Sequence, residues 1–340
     1  MKKLFVIGIM ISLFLGLVLS CYGEGSSDGN GGGTNYTPGQ LSTFSVGRVA
    51  FNMHYAPRSS FKSDDNAING KKDIFSTKVT VDHDFWVAET EVTYEQWYAV
   101  RTWAVNNSGY IFTNNAGREG SMGMDGAVPT SGNKLHPVTR INWRDSIVWC
   151  NALTEYYNVE KGTNLECAYK DRGGKVIRDS TSTTICDSLA DYDHNAKGFR
   201  LPTSDEWELA ARYQNGTNWI AGDHVSGDLT GYCYNSGISA TESTIFAEYA
   251  WYSDNSNNGE PSYSTQPVGG KKANFLNLRD MSGNVNEWCF DWYPEYIGSY
   301  RIFRGGCWSF GAFFLQLGAV ANDFPYHANN LLGFRPVRTQ

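Results

Sequence analysis

The sequence predicts a loop-rich α+β domain carried behind an export leader. Three observations point there. Strand-like alternation is confined to short stretches at 44–51 and 79–87. Helical spacing of apolar residues follows capping residues at Thr93, at Asn142 or Asp145, and at Thr203. The intervals 106–134 and 214–265 are rich in Gly, Asn and Ser and have no apolar period. Eleven tryptophans and twenty tyrosines offset so much loop, because aromatic rings bury large area and their polar edges satisfy loop backbone.

The leader comes first. Lys2 and Lys3, the apolar run 4–19 and Val18-Leu19-Ser20-Cys21 stand in the order of a cleaved secretory signal over 1–20. A cysteine directly after a small residue resembles a bacterial lipoprotein signal. The resemblance implies a lipidated N-terminus at Cys21 and an exported protein anchored to the membrane at the outer surface of the envelope. Residues 21–43 are a Gly/Ser-rich flexible tether, and 44–340 form one domain. A net charge of -7 without any Lys/Arg cluster excludes nucleic acid as partner, since phosphate binding needs a basic surface. No heptad repeat is present, so a monomer is expected.

Beyond Cys21 stand Cys150, Cys167, Cys186, Cys233, Cys289 and Cys307. An oxidising compartment allows pairing, and Cys167 with Cys186, inside one polar stretch, is the expected disulfide. No C-x-x-C or C-x-x-x-x-C spacing marks a redox or thiolate metal site.

Within the domain, FSVGRVAF at 44–51 predicts a first strand whose partner can lie far off in the chain. A second strand follows over 79–87. Thr93, with Gln96 three residues on, caps a short helix. Ile147, Val148, Cys150, Leu153 and Tyr157 recur at helical spacing behind Asn142 or Asp145 as cap. Thr203-Ser204-Asp205-Glu206 is a capping box opening a helix through Trp207, Leu209, Ala210 and Ala211. The histidines, His54, His83, His136, His194, His224 and His327, show no ligand spacing such as H-E-x-x-H, and no P-loop or nucleophile elbow occurs. DYDHN at 191–195 reads as a solvated loop.

Six blocks then stand in a specific order: EVTYEQW (91–97), HPVTRINWRDSIVWCNAL (136–153), GFRLPTSDEWELAAR (198–212), RDMSGNVNEWCFDWY (279–293), RGGCW (304–308) and GFR (333–335). Together they resemble the formylglycine-generating-enzyme-like, or sulfatase-modifying-factor, family over about 44–338. The resemblance implies a C-type-lectin-like fold, with few short strands and two main helices. Enzymes of that family oxidise a substrate cysteine with copper held by a C-x-x-x-x-C pair after the RGG-type block. Here that segment reads SFGAFFLQLGAVANDF, without cysteine, and Leu315 stands about where members often carry one. Cys307 alone cannot supply the paired soft ligands of Cu(I). A non-catalytic protein with no required cofactor is therefore expected.

The motif at 280–287 implies a structural calcium, which some family members hold at the positions of Asp280, Gly283, Val285 and Glu287, the middle two through carbonyls. Carboxylates alternating with carbonyls suit a hard cation. The other reading is that these side chains only hydrogen-bond loop backbone.

The last segment has regular ends and an irregular filling. A second resemblance, to variable proteins of diversity-generating retroelements, covers it. Many of these share the fold and end in a variable segment framed by RGG-type and GFR-type blocks, diversified at adenine-bearing codons. Altered Asn codons encode Phe, Tyr, His, Asp, Ser, Gly, Leu, Ala and Val, and these residues with Asn dominate 309–330. The resemblance implies a ligand-binding segment at about 304–335 that works as a paratope, with rings supplying contact area and Asp or Asn supplying hydrogen bonds. The expected contact residues are Trp308, Ser309, Phe310, Gly311, Phe313, Phe314, Asp323, Phe324, Tyr326, His327 and Asn329, with Trp308 partly core. The partner is a protein or glycan ligand. The alternative is a family-type oxidase or modifying enzyme with an altered metal site.

Overall fold

In the computed structural model, which describes residues 36–62, 78–113, 116–189, 191–231, 243–257 and 263–340, the expected first strand is a hairpin. Strands β1 (Leu41–Val46) and β2 (Val49–Ala56) pair antiparallel, with Val46 opposite Val49. Gly47 sits at φ 54, a left-handed conformation that suits a two-residue hairpin turn and that glycine adopts at no steric cost. β1 begins inside the stretch expected to be tether. The leader, Cys21 and Cys233 lie outside the described residues.

The expected strand at 79–87 is likewise two. β3 (Ser59–Lys62) pairs with β4 (Lys78–Val81), whereas β5 (Phe85–Ala88) joins another sheet after the polar break at Asp82-His83-Asp84. That sheet runs β1-β2-β5-β13-β8, with β8 at Phe199–Arg200 and β13 at Val337–Thr339. The C-terminal strand is thus held between strands from far earlier in the chain. Two further short strands, β6 (Arg118–Glu119) and β7 (Val138–Thr139), pair with each other.

The principal helices are α1 (Tyr94–Asn107) and α2 (Trp143–Lys161). Both open on the predicted capping residues. Thr93 and Gln96 exchange side-chain bonds with backbone, and Asn142 does the same with Asp145, which is the reciprocal partner rather than the cap. The two helices meet through Trp97 and Trp149, stacked at 6.1 Å, with Phe334 set edge-on to both rings. The last framed block of the sequence therefore ends in the main core. A short helix, α3 (Thr183–Asp187), lies in the polar insertion, and α4 (Ser204–Arg212) opens on the Thr203–Glu206 capping box.

The expected Cys167–Cys186 disulfide is absent. Each thiol is buried in its own surroundings: Cys167 Sγ donates to the Asn151 carbonyl of α2 at 3.6 Å, and Cys186 Sγ to the Asp179 carbonyl at 3.4 Å. Burial pushes both thiols up to about 12. Proximity within one polar stretch of sequence did not bring the side chains together.

A second sheet carries the framed segment, in the order β11-β10-β9-β12: β9 (Asn286–Trp292), β10 (Arg301–Arg304), β11 (Ala321–Asp323) and β12 (Leu332–Gly333). The DMSGNVNE block leads into β9, the RGG block leaves β10, and the GFR block begins in β12. This is a C-type-lectin-like α+β fold.

Candidate functional site

Two buried arginines hold the ends of the last segment. Arg304, at the end of β10, turns inward to α4, where its Nη2 donates to Glu208 Oε2 at 2.8 Å. Arg212 takes the other oxygen of Glu208 at 2.8 Å. Arg304 Nη1 also donates to the carbonyls of Leu317 and Ala319, at 3.3 and 3.2 Å, so it grips the returning chain directly. Gly306 stands at φ 72, and a Cβ there would lie 2.6 Å from the Phe314 carbonyl oxygen. Close backbone approach is why glycine follows the arginine. At the far end Arg335 binds Glu287 through two bonds and the carbonyls of Ala88, Glu89 and Arg279 through others.

Trp308 ties the start of the segment to its end. Its indole N–H donates to the Asn330 carbonyl at 3.0 Å, its own carbonyl accepts from Ser256 Oγ, and its amide donates to the Asn284 carbonyl. The ring is half-buried, as a frame residue should be.

Between these anchors the chain divides into an inward and an outward set. Leu315, Gln316, Leu317 and Pro325 are buried. Ser309, Gly311, Phe314, Tyr326 and His327 are exposed, while Phe310, Phe313, Asp323, Phe324 and Asn329 are half-buried. A 3-10 turn over Ala312–Leu315 produces the split, since it sends Leu315 inward and leaves Phe314 53% exposed. The expected contact residues gather into two ring groups. Phe314 lies 5.2 Å from Phe310 and 5.3 Å from Phe313. Phe324 stacks on Tyr326 at 5.1 Å, and His327 stands edge-on to both. Asp323 Oδ1 meets His327 Nδ1 at 2.6 Å.

Residues outside the segment complete the second group. Tyr300 packs on Phe324 at 4.4 Å, and the Arg144 guanidinium, paired with Asp187, lies 5.7 Å over the Tyr326 ring. Sequence reasoning missed both. Arg144 belongs to a helix start distant in the chain, and Tyr300 precedes the frame without any periodic pattern around it. Below them Arg301 is sandwiched between Trp143 at 3.7 Å and Trp292 at 3.4 Å, and burial pulls its guanidinium down to about 9. It belongs to β10 and stands opposite Asp323 of β11.

The soft-metal position is apolar. Leu315 is fully buried, and Cys307 is a buried thiol that burial pushes up to about 12. Among the described residues, no three His, Cys, Asp or Glu side chains are grouped to hold a metal ion.

The four residues expected around calcium are all buried, and their oxygens are committed unevenly. Both oxygens of Glu287 accept from Arg335, and Oε2 also accepts from the Trp207 indole at 2.7 Å. Asp280 Oδ2 accepts from the Gly269 amide, while Oδ1 has no hydrogen-bond partner. Gly283 donates its amide to Gly305, and Val285 packs its side chain toward Gly333. A guanidinium already stands against Glu287, while the buried Asp280 Oδ1 remains the carboxylate oxygen open to a hard cation, so the calcium implied by the motif stays an expectation. Burial raises the Asp280 carboxyl to about 6 and that of Glu91, whose oxygens are also unpartnered, well above the usual range.

The architecture agrees with comparisons to known proteins. A solved structure, Treponema denticola variable protein 1, is similar with a TM-score of 0.62 and 29% identity, covering 88% of this chain and 99% of that one. The crystal structure of CarF is similar with a TM-score of 0.62 and 26% identity, over 85% of this chain and 98% of the other. A Paenibacillus barcinonensis protein named chaperone protein LppX is 31% identical over 292 residues, 81% of this chain and 87% of that protein. The family model described as the sulfatase-modifying factor enzyme 1-like domain matches residues 50–340. With that match and the six ordered blocks on one fold, the chain belongs to the sulfatase-modifying-factor, or formylglycine-generating-enzyme-like, family.

Proposed function

We propose that the chain is an envelope-displayed lipoprotein that holds a protein or glycan ligand on the face built by residues 308–329 and performs no catalysis. The observation that carries the reading is a split in burial. The frame arginines Arg304 and Arg335 are 2% and 0% exposed, whereas each expected contact residue between them reaches solvent. Rings on a fixed scaffold offer contact area with few rotors to freeze, which limits the entropic cost of binding. The likeness to a variable protein supports a diversified segment within this frame. Leucine at 315, about where members of the family often carry a thiol, supports the absence of copper chemistry. In this reading a lipid on Cys21 anchors the chain, a single copy acts, and no cofactor is assigned.

The test presents the mature chain to a glycan array and to a panel of extracellular protein domains. Alanine at Phe310, Phe313 and Tyr326 together should abolish capture and leave the melting temperature nearly unchanged. Loss of folding in that variant would instead assign the rings to the core. The family description names an enzyme, which favours a second reading, a modifying oxidase with an altered metal centre. Stoichiometric copper or iron in the purified protein would establish that reading over the first.

A further inference from the structure

The framed segment contributes a strand as well as side chains. β11 lies at the end of its sheet and pairs with β10 in the register Arg301↔Asp323, Ile302↔Asn322 and Phe303↔Ala321. Among the described residues, no strand or bridge pairs with its other edge. In an antiparallel pair, alternate residues turn their N–H and C=O groups away from the neighbour, so an end strand offers a row of donors and acceptors to whatever comes alongside. Ala321, Asn322 and Asp323 are each partly accessible.

The chemistry of such an edge selects its occupant. A row of backbone donors and acceptors is matched by another extended backbone lying at strand spacing. Proteins usually blunt an open edge by keeping it short or with charge, proline or a bulge, and β11 is short, at three residues. Here Ala321 and Asn322 are small and uncharged, the Asp323 carboxylate is turned to His327 at 2.6 Å, and Pro325 comes only after the strand has ended. Phe324, Tyr326 and His327 stand at the strand's end, backed by Tyr300.

We infer that the ligand is an extended peptide segment of a protein, added to β11 as a further strand; this rests on the binding reading of the same face. Main-chain bonds do not depend on side-chain identity. Substitution at the flanking rings would then change which peptide is read and keep the way it docks. A segment that varies in sequence needs one contact that does not vary, and the backbone of β11 supplies it.

The experiment pans a random linear peptide library on the full mature chain and resynthesises the selected peptides with one N-methyl amide at each position in turn. The expected result is an alternating pattern: every second N-methyl weakens binding by about tenfold, as for loss of a main-chain hydrogen bond and the unpaired group left behind. On the protein side, Ala321→Pro and Asn322→Pro are compared, since proline is tolerated on an edge only where the N–H points outward. One of the two should keep its melting temperature and lose peptide binding. A flat N-methyl scan, or peptide binding that survives in both folded proline variants, overturns the inference. So does a selection that yields glycan ligands and no linear peptide. If Phe313→Ala with Tyr326→Ala abolishes peptide binding while the N-methyl scan stays flat, the binding face stands and strand addition falls. If peptides bind with alternation but ignore those rings, strand addition stands and the ring-based face falls.

Discussion

Arg335 and Glu287 form a two-bonded ion pair, at 2.7 and 2.6 Å, with neither side chain exposed. The pair joins the closing block of the framed segment to the strand before it, and Trp207 of α4 completes it by donating to Glu287 Oε2. Two ions taken out of water contribute little net stability as a pair, but one left alone is costly. Glu287→Gln should therefore destabilise the domain by about 3–5 kcal/mol, read as a lower denaturation midpoint. A change below about 1 kcal/mol, the range of an exposed pair, would show that the carboxylate is solvated and the pair dispensable.

Arg304 does a different job, because Glu208 keeps Arg212 when Arg304 is removed. The loss falls on the Ser204 hydroxyl and on the carbonyls of Leu317 and Ala319. In Arg304→Ala, amide exchange should quicken at Leu317 and Gly318, whose N–H groups donate to the carbonyls of His224 and Gly222, while α1 and α2 stay protected. Uniform exchange across the domain would mean that Arg304 supports the whole fold instead of the segment.

The split between inward and outward rings makes a paired prediction. Leu315 is fully buried, whereas neighbouring Phe314 is 53% exposed. Leu315→Ala should cost about 2–5 kcal/mol through the cavity it leaves, and Phe314→Ala less than about 1 kcal/mol. Equal losses in thermal or denaturant unfolding would contradict the orientation of the 3-10 turn that separates them.

What could be read from the sequence was local or ordered. The capping pairs at Thr93 and Thr203 were legible because both partners lie within three residues, and at the third helix start Asn142 and Asp145, read as alternative caps, proved to be the two halves of one box. The order of six blocks identified the fold although most of the chain between them is loop. Turns embedded in apolar alternation were not legible: Gly47 and the Asp82-His83-Asp84 break each divide what reads as one strand. Pairings across the chain were hidden too. The ion pair of Glu287 could not be read, because nothing nearby in sequence announces an arginine 48 residues on. Tyr300 and Arg144 reach the ring group only through the fold, and the open edge of β11 is a property of sheet order.

The scaffold side carries its own pH dependence, at a cleft of ≈ 610 Å³ lined by Asp82, His83, His194, Asp205 and Asp291 among others. At its base His83 Nε2 meets Glu206 Oε1 at 2.7 Å, and Glu206 is held by Arg200 through bonds of 2.6 and 2.7 Å. Burial alone would raise the Glu206 carboxyl, yet the charge and hydrogen bonds of Arg200, with His83, bring it down to about 2. The bond to Glu206 raises His83 despite its partial burial. The signs of the two contributions are opposite. Glu206 titrates below its unfolded value, so its stabilisation is present above pH 4.5 and is lost as pH falls toward about 2. His83 titrates above its unfolded value, so its stabilisation is complete below pH 6.5 and is lost as pH rises through the folded value. The melting temperature should therefore decline on the alkaline side as well as in acid. His83→Gln should flatten the alkaline decline and leave much of the acid one, because Arg200 still holds Glu206. Glu206→Gln should remove its own contribution and most of that of His83, which keeps only the weaker bond to Asp82 at 3.0 Å. A wild-type profile with no alkaline slope, or one that persists unchanged in His83→Gln, would place the titrating group elsewhere.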